Sequence, residues 1–123
     1  MKINEPQVLA EVNEAFQRYQ DAIIDNDLAV LNELFWDDPL TIRYGIGENL
    51  YGHAEIAGYR SARNPAALAR IETKRVVTTY GRDYATTNIE FTRQGRLGRQ
   101  SQAWARMPEG WRIVAAHVSY MQA

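Results

Sequence analysis

The chain lacks cysteine entirely, with none among its 123 residues. Disulfide bonds, thiolate nucleophiles and thiolate metal sites are therefore excluded, and the composition is compatible with a reducing compartment. The chain also lacks an excess of either charge, because 14 Lys and Arg residues stand against 15 Asp and Glu residues. We therefore expect neither nucleic acid nor an anionic membrane as a partner, and any cationic site has to be local.

Long apolar runs are missing as well. No stretch of the sequence approaches the roughly 18 consecutive apolar residues of a membrane-spanning helix. Met1 is followed by a polar segment instead of the apolar core of a signal peptide, so we expect a soluble, cytoplasmic protein. A chain of 123 residues is long enough to bury one hydrophobic core, which predicts a single domain over residues 1–123.

Most standard catalytic motifs are absent from the sequence. It contains no GxSxG nucleophile elbow, no P-loop, no GxGxxG fingerprint and no HExxH zinc motif. The segment Gly45-Ile46-Gly47 is only a short turn without the third glycine that a dinucleotide site requires. Because the chain has only two histidines and no cysteine, it also offers few metal ligands. We therefore expect neither a metal ion nor an organic cofactor.

The first half of the chain has the periodicity of helices. From Pro6 onward, apolar residues recur every three or four positions, which predicts an amphipathic helix that ends near Asp25. Asp27 is suited to cap a second helix, which the segment Asp37-Asp38-Pro39 ends. An acid/base role for this aspartate pair is the less favoured alternative. A third helix is predicted over residues 53–62.

Short β-branched and aromatic runs dominate the second half. A brief strand is predicted at residues 41–44, followed by a loop at residues 45–49. Four longer strands are predicted after Ala69, at residues 71–80, 84–92, 99–107 and 111–120. This spacing predicts an antiparallel meander whose one face the helices cover, so the fold class is α+β. Polar residues on the inner face of such a curved sheet would line a cone-shaped site.

The last predicted strand has two fairly apolar faces. Strict alternation places His117 on the same face as Trp111 and Ile113, and Val118 on the opposite face with Ala116. We expect one face to contact the helices and the other to contact a second subunit, which predicts a homodimer.

Arg43 is a candidate for binding a small acid, and Tyr19 is a candidate for lining a cavity. Arg43 lies inside a short strand between Ile42 and Tyr44, so we favour a buried carboxylate anchor over an ion pair at the sheet edge. Tyr19 lies on the apolar stripe of the first helix with Phe16, so its hydroxyl either finds an internal partner or lines a cavity.

Other polar residues leave two interpretations open. His117 is either a satisfied core histidine or a proton-transfer group in a cavity. Arg99, beside Gln100, Ser101 and Gln102, is either a substrate anchor or a solvated charge at a strand end. The third group, which either steers anions or consists of solvated charges, comprises Arg60, Arg63 and Arg70.

Several segments, in order along nearly the whole chain, carry a resemblance to a known family. They are ELFWDDP at residues 33–39, RYG at 43–45, ENLYG at 48–52, TYGRD at 79–83, GRQSQ at 98–102 and GWRIVAAHVS at 110–119. Together they resemble the AtzH-like family, which also includes the oxalurate-catabolism proteins of bacteria. The resemblance implies the nuclear-transport-factor-2-like (NTF2-like, SnoaL-like) cone fold and a dimer.

The resemblance also implies an activity on small ureido acids. The family takes its name from a cyanuric acid pathway protein associated with hydrolysis of 1,3-dicarboxyurea, an enzyme in which a tyrosine of the first helix and an arginine of the following strand are implicated. Those positions match Tyr19 and Arg43 here. The sequence departs from the family pattern at Leu40, where a basic residue often stands, and at Asn64, which is inserted into an Arg-Pro step.

We therefore predict a metal-independent amidohydrolase acting on 1,3-dicarboxyurea. The predicted catalytic residues are Tyr19, Arg43 and His117, and the predicted substrate-binding residues are Arg99, Ser101, Trp104 and Tyr44. One alternative is a non-catalytic carboxylate-binding or accessory protein of ureide catabolism, because the same fold serves binding roles. Another is steroid-isomerase-like chemistry, for which Glu90 is the best-placed strand carboxylate unless its side chain faces solvent.

Overall fold

The computed structural model describes residues 1–65 and 69–122, which contain three helices and six strands. In chain order these are α1 (Pro6–Asp25), α2 (Leu28–Leu34), β1 (Ile42–Tyr44), β2 (Asn49–Tyr51), α3 (His53–Ala62), β3 (Ile71–Tyr80), β4 (Tyr84–Arg93), β5 (Arg96–Met107) and β6 (Gly110–Tyr120). The helices pack on one face of a single sheet, which confirms the predicted α+β class. None of the helices in these ranges is long and apolar enough to cross a membrane.

The helix boundaries follow from the end signals in the sequence. Pro6 occupies the first turn of α1, where its missing N–H costs no hydrogen bond. Asn26 ends α1 in the left-handed conformation, with φ of 52°. The Asp27 carboxylate then caps α2 by accepting the Val30 N–H at 3.2 Å. The three predicted helices are therefore confirmed.

The sheet has the strand order β2-β1-β6-β5-β4-β3, with β1 parallel to β6 and all other neighbours antiparallel. The four long strands are confirmed, although β5 begins at Arg96 because Gln94 and Gly95 alone, both with positive φ, make the turn. The predicted loop at residues 45–49 is wrong at Asn49, which begins β2. A strand of three residues is too short for a periodic pattern to reveal.

A β-bulge changes the side-chain alternation of β6. Trp104 on β5 faces Ile113 and Ala103 faces Ala115, so Val114 has no opposite residue. Inward positions are therefore odd-numbered before the bulge and even-numbered after it. The prediction that His117 shares a face with Ile113 is wrong, because the bulge turns His117 to the face away from the helices.

The core lies between the helices and the inner face of the sheet. Trp104 is fully buried there, with its ring perpendicular to that of Phe16 at a centroid distance of 6.5 Å. Its indole N–H donates to the Thr87 hydroxyl at 3.0 Å. Trp104 is therefore a core residue, and its predicted role in substrate binding is corrected. The homodimer stays a prediction.

Candidate anion-binding active site

A cavity of about 290 Å³ opens between α1, α3, the turn after β1 and the inner face of the sheet. Its lining contains four arginines but only one carboxylate among the described residues. The lining residues are Tyr19, Ile23, Arg43, Ile46, Glu48, Tyr59, Arg63, Asn64, Arg70, Arg93, Gln100 and Val118. This local excess of positive charge contrasts with the nearly neutral chain as a whole.

Strand alternation and helix periodicity bring these side chains together. Arg43 is the middle residue of β1, so it turns inward while Ile42 and Tyr44 lie on the outer face of the sheet. Gln100 has the same parity on β5 as the core residue Trp104, which turns its amide inward. The cavity is therefore assembled from regular elements that hold its polar groups in place.

Arg43 is paired within the cavity. Its Nη1 donates to Oε1 of Glu48 at 3.1 Å, and its guanidinium carbon lies 5.6 Å from the ring centroid of Tyr59. The other Glu48 oxygen accepts the Gly47 N–H at 3.2 Å. Burial raises the pKa of Tyr59, and the nearby Glu48 carboxylate raises it further. The hydroxyl of Tyr59 therefore stays protonated at neutral pH and interacts with the Glu48 carboxylate.

Buried amides connect Tyr19 to Arg70. The Tyr19 hydroxyl donates to Oε1 of Gln100 across a long distance of 3.4 Å, and Nη1 of Arg70 donates to the same oxygen at 3.1 Å. Nη2 of Arg70 donates to the Gln20 side chain, whose own amide nitrogen donates to Glu72 at 2.8 Å. The long Tyr19 contact leaves its hydroxyl poised to exchange Gln100 for a ligand atom.

Several buried guanidinium nitrogens have no hydrogen-bond partner among the residues that the structure describes. All three nitrogens of Arg60 are in this state, and Arg60 is only 2% exposed, with its guanidinium carbon 4.1 Å from the Phe35 ring centroid. The Nε atoms of Arg63, Arg70 and Arg93 are unpartnered too. Buried donors of this kind are expected to have partners, so the cavity offers an unused capacity to bind an anion.

Burial of these cations lowers their pKa values. It lowers the pKa of Arg60 to about 10, with Arg43 and Arg63 lowering it further. Burial also lowers the pKa of Arg63 and of Arg70. All three guanidiniums remain charged at neutral pH. Their lowered pKa values reflect the free-energy cost of burying cations near too few anions. A bound dianion would offset that cost.

Glu72 links the cavity network to the sheet surface and gives a pH prediction. Its carboxylate accepts hydrogen bonds from Arg75 at 2.7 and 2.8 Å, which hold the pKa of Glu72 below its ordinary value, and the Gln20 bond adds to this. A lowered pKa stabilises the fold above the unfolded-state pKa, and the stabilisation is lost as pH falls through the folded-state pKa. We expect Glu72→Gln to lower the free energy of unfolding at pH 7 by up to about 1 kcal/mol.

Denaturant unfolding at pH 7 and at pH 3 measures this effect. The difference between the parent protein and Glu72→Gln should shrink towards zero at pH 3. Glu90→Gln is the matched control, because Glu90 is exposed on the outer face of β4 without an ion pair among the described residues. An equal difference at both pH values would contradict the assignment.

Of the predicted site residues, the lining of this cavity contains Tyr19 and Arg43. Ser101 and Arg99 lie on the outer face of β5, where they bond Asn88 at 2.6 Å and Ser119 at 3.3 Å. Tyr44 and His117 also lie on the outer face, with ring centroids 5.8 Å apart. The placement of these four residues in the same site as Tyr19 is therefore corrected, because the sheet separates them from the cavity.

The structure also identifies residues that sequence reasoning missed or left open. Arg63 and Arg70 line the cavity, which favours anion binding over solvated charges. Glu48 and Arg93 were not predicted as site residues, and Gln100 was named only in the polar group beside Arg99. Gln100 and Trp104 are both even-numbered positions of β5, so their side chains share a face of the strand. A large apolar residue indicates which face is buried, so Trp104 was the sequence signal that Gln100 turns inward. Among the described residues, no group of His, Asp or Glu side chains is arranged to hold a metal ion.

These features define an α+β protein of the cystatin-like or NTF2-like fold, with a cationic cavity between its helices and its sheet. Within that class the chain belongs to the AtzH-like family, whose sequence model matches residues 1–123. A DUF3225 family protein of unknown function from Pectobacterium atrosepticum is 56% identical, with a TM-score of 0.95 over 98% of this chain and 95% of that one. A cystatin-like fold protein from Burkholderia xenovorans is 44% identical, with a TM-score of 0.94 over 100% of this chain and 98% of that one.

More distant solved structures share the fold alone. A candidate dehydratase of the NTF2-like family from Streptomyces avermitilis is 18% identical, with a TM-score of 0.80 over 95% of this chain and 98% of that one. A search of curated proteins found no match. The predicted family and fold are thus confirmed, and the reaction has to be argued from the cavity itself.

Proposed function

We propose that this protein hydrolyses a small carboxylated urea, with 1,3-dicarboxyurea as its substrate. The observation that carries the proposal is the cavity lined, in the described part of the chain, by four arginines and one glutamate, where the Nε atoms of three of these arginines have no hydrogen-bond partner among the described residues. Planar guanidinium groups match carboxylates in geometry, and their charge-assisted hydrogen bonds are stronger than neutral ones. A small acid with a carboxylate at each end satisfies these donors better than a neutral compound does.

The charge of the cavity also favours one ureido acid over another. Oxalurate carries one carboxylate, whereas 1,3-dicarboxyurea carries two. Because four guanidiniums face one internal carboxylate, a dianion leaves less positive charge uncompensated than a monoanion. We therefore expect 1,3-dicarboxyurea to be the better substrate.

The proposed mechanism uses groups that the cavity already positions. Arg43 anchors one carboxylate, and the Tyr19 hydroxyl donates to the urea carbonyl or to the departing nitrogen. Hydrolysis breaks a C–N bond, with the hydroxyl of water passing to the carbon and a proton to the nitrogen. Carboxylated ureas are labile compounds, so orientation and proton transfer that accelerate the reaction by roughly 10² to 10⁴ are sufficient.

A non-catalytic carboxylate-binding protein is the second candidate. It is favoured by the absence of serine, threonine and histidine from the described lining, so those residues offer no hydroxyl nucleophile paired with a histidine base. In that role the protein would hold a ureido acid for a partner enzyme of ureide catabolism. The same arginines would bind the ligand, but Tyr19 would have no proton to transfer.

Turnover of the two acids by the purified protein distinguishes these candidates. 1,3-Dicarboxyurea is generated in situ, oxalurate is supplied directly, and consumption is followed together with carbon dioxide and ammonia release. We expect acceleration that is greater for 1,3-dicarboxyurea than for oxalurate. If the protein binds either acid and consumes neither, the non-catalytic alternative replaces the hydrolase.

A further inference from the structure

Glu48 is the one carboxylate that lines the cavity among the described residues. It is bonded to Arg43 at 3.1 Å, and the two side chains are only 22% and 12% exposed. Arg43 therefore has an anionic partner, whereas Arg63, Arg70 and Arg93 each keep at least one nitrogen without a hydrogen-bond partner among the described residues. An internal anion therefore occupies the very arginine to which the proposed function assigns the substrate carboxylate.

The turn between β1 and β2 is shaped to deliver this carboxylate. The Gly45 N–H donates to the Glu48 carbonyl oxygen at 2.8 Å, which folds the chain back towards Arg43. A β-carbon on Gly45 would overlap the Glu48 carboxylate and would lie 3.0 Å from Nη1 of Arg43. A β-carbon on Gly47, in the same turn, would have no atom within 4 Å. Glycine at position 45 thus makes the room that the ion pair needs.

We propose that Glu48 is an internal competitor for the anion site, whose carboxylate occupies Arg43 in the empty cavity and is replaced there by a carboxylate of the incoming dicarboxylic acid. The proposal rests on the proposed function for the identity of Arg43 as the anchor. It adds to that function one residue, Glu48, that determines how tightly the ligand binds.

The exchange follows from the charges around the site. A partly buried guanidinium without a counter-ion is costly, so Glu48 neutralises Arg43 while the cavity is empty. When a dicarboxylic acid binds, its first carboxylate replaces the Glu48 carboxylate at Arg43. This exchange adds little binding free energy, because one ion pair replaces another. The second carboxylate reaches cations that form no ion pair among the described residues, namely Arg63, Arg70 and Arg93. Glu48 retains the Gly47 N–H, the nearby Tyr59 hydroxyl and its access to solvent, so its displacement strands no buried charge.

Calorimetric titration with glutarate tests the exchange without any reaction. Glutarate is chemically stable and has the same number of atoms between its carboxylates as 1,3-dicarboxyurea. The main variant is Glu48→Gln, which removes the charge and keeps the shape of the side chain. Glu90→Gln is the matched control, because it makes the same change of net charge on the outer face of the sheet.

A second pair of variants separates the position of the carboxylate from its charge. Gly45→Ala should expel the Glu48 carboxylate from Arg43 without altering net charge, because the new methyl group overlaps it. Gly47→Ala is its control, since the added methyl group meets no neighbour and neither glycine has a positive φ.

We expect Glu48→Gln to bind glutarate about tenfold more tightly than the parent protein, the scale of one charge-assisted hydrogen bond. Gly45→Ala should also bind glutarate more tightly than the parent protein does. Both control variants should bind it with the affinity of the parent. The proposal is overturned if Glu48→Gln binds glutarate no more tightly than Glu90→Gln does. Tight binding by Glu48→Gln in a protein that consumes no 1,3-dicarboxyurea would contradict the hydrolase and leave the role of Glu48 standing.

Discussion

Arg43→Gln is expected to lower the turnover of 1,3-dicarboxyurea by roughly 10² to 10⁴, because the substrate loses the guanidinium that holds its carboxylate in the reacting orientation. Arg43 is suited to this role because it is the one inward-facing residue of β1 and lines the same cavity as Tyr19. Glutamine keeps a polar side chain, but it is shorter than arginine and has neither the charge nor the two-pronged geometry of guanidinium. Initial rates over a range of substrate concentrations measure the loss.

Tyr19→Phe separates binding from proton transfer within the same experiment. It removes only the hydroxyl that donates to Gln100, so we expect kcat to fall while KM changes little. Arg99→Gln is the control for Arg43→Gln, because Arg99 lies exposed on the outer face and bonds only Ser119 among the described residues. Thermal unfolding of each variant shows whether it is folded. Turnover equal to that of the parent in a folded Arg43→Gln protein would contradict the proposed anchor.

Arg60→Met is expected to stabilise the protein while weakening its affinity for dianions. Arg60 is almost fully buried, and no nitrogen of its guanidinium has a hydrogen-bond partner in the described ranges. Burial lowers the pKa of Arg60 to about 10, so the cost of keeping this group charged is present in full at every pH below that value. Replacing a poorly compensated buried charge by an apolar side chain of similar volume commonly stabilises a protein by about 1–3 kcal/mol.

Thermal unfolding and glutarate titration measure the two effects together. A gain of 1 kcal/mol corresponds to a rise in Tm of about 3–6 °C for a chain of this size. Glutarate should bind about tenfold more weakly, because Arg60, although it does not line the cavity, adds to the positive potential at the lining residues Arg43 and Arg63. Arg99→Met is the control and should leave both quantities near those of the parent. A fall in Tm would show instead that the packing of Arg60 on Phe35 outweighs the cost of its burial.

Measuring stability and glutarate affinity together distinguishes a cation that is kept for function from one that is kept for stability. A residue kept only for stability would destabilise the protein when replaced and would leave ligand affinity unchanged. A residue kept for function is tolerated despite its cost, and such local costs are common at binding and catalytic sites. Arg60 is predicted to belong to the second kind, as part of the positive potential of the cavity.

Periodicity in the sequence was sufficient to predict the elements that the fold is built from. The apolar stripe of α1 and the end signals at Asp25 and Asp27 determine the first two helices, and the turn residues separate the four long strands. Strand β2 was missed because its pairing depends on the turn that precedes it and not on a pattern of its own. Arg43 was predicted to be buried, and its side chain is only 12% exposed, but the ion pair that the sequence analysis disfavoured is present, with Glu48.

The faces of the longer strands were harder to predict. His117 was assigned by strict alternation, and the unpaired residue Val114 reverses that alternation halfway along β6. Nothing in a single sequence marks the position of such a bulge. On β5 the sequence does indicate which face is buried, because the large apolar residue Trp104 shares a strand face with Gln100 and Gln102. Arg99 and Ser101 were predicted from side-chain chemistry alone, and they lie on the opposite face.

The arginine cluster could not be derived from sequence spacing. Arg43 and Arg93 lie on β1 and β4, whereas Arg63 lies just after the end of α3 and Arg70 just before β3. Only the folded arrangement of these segments brings the four guanidiniums to one cavity. Their unpartnered nitrogens can be recognised only once burial and hydrogen bonds are known, which is why the structure adds most at this site.

A crystal structure of the protein with glutarate would locate the anion site without depending on the reaction. We expect one glutarate carboxylate on Arg43, with Glu48 turned away, and the other among Arg63, Arg70 and Arg93. Glutarate bound on the outer face beside Tyr44 and His117, with the cavity free of it at saturating concentration, would show that the cavity is not the anion site.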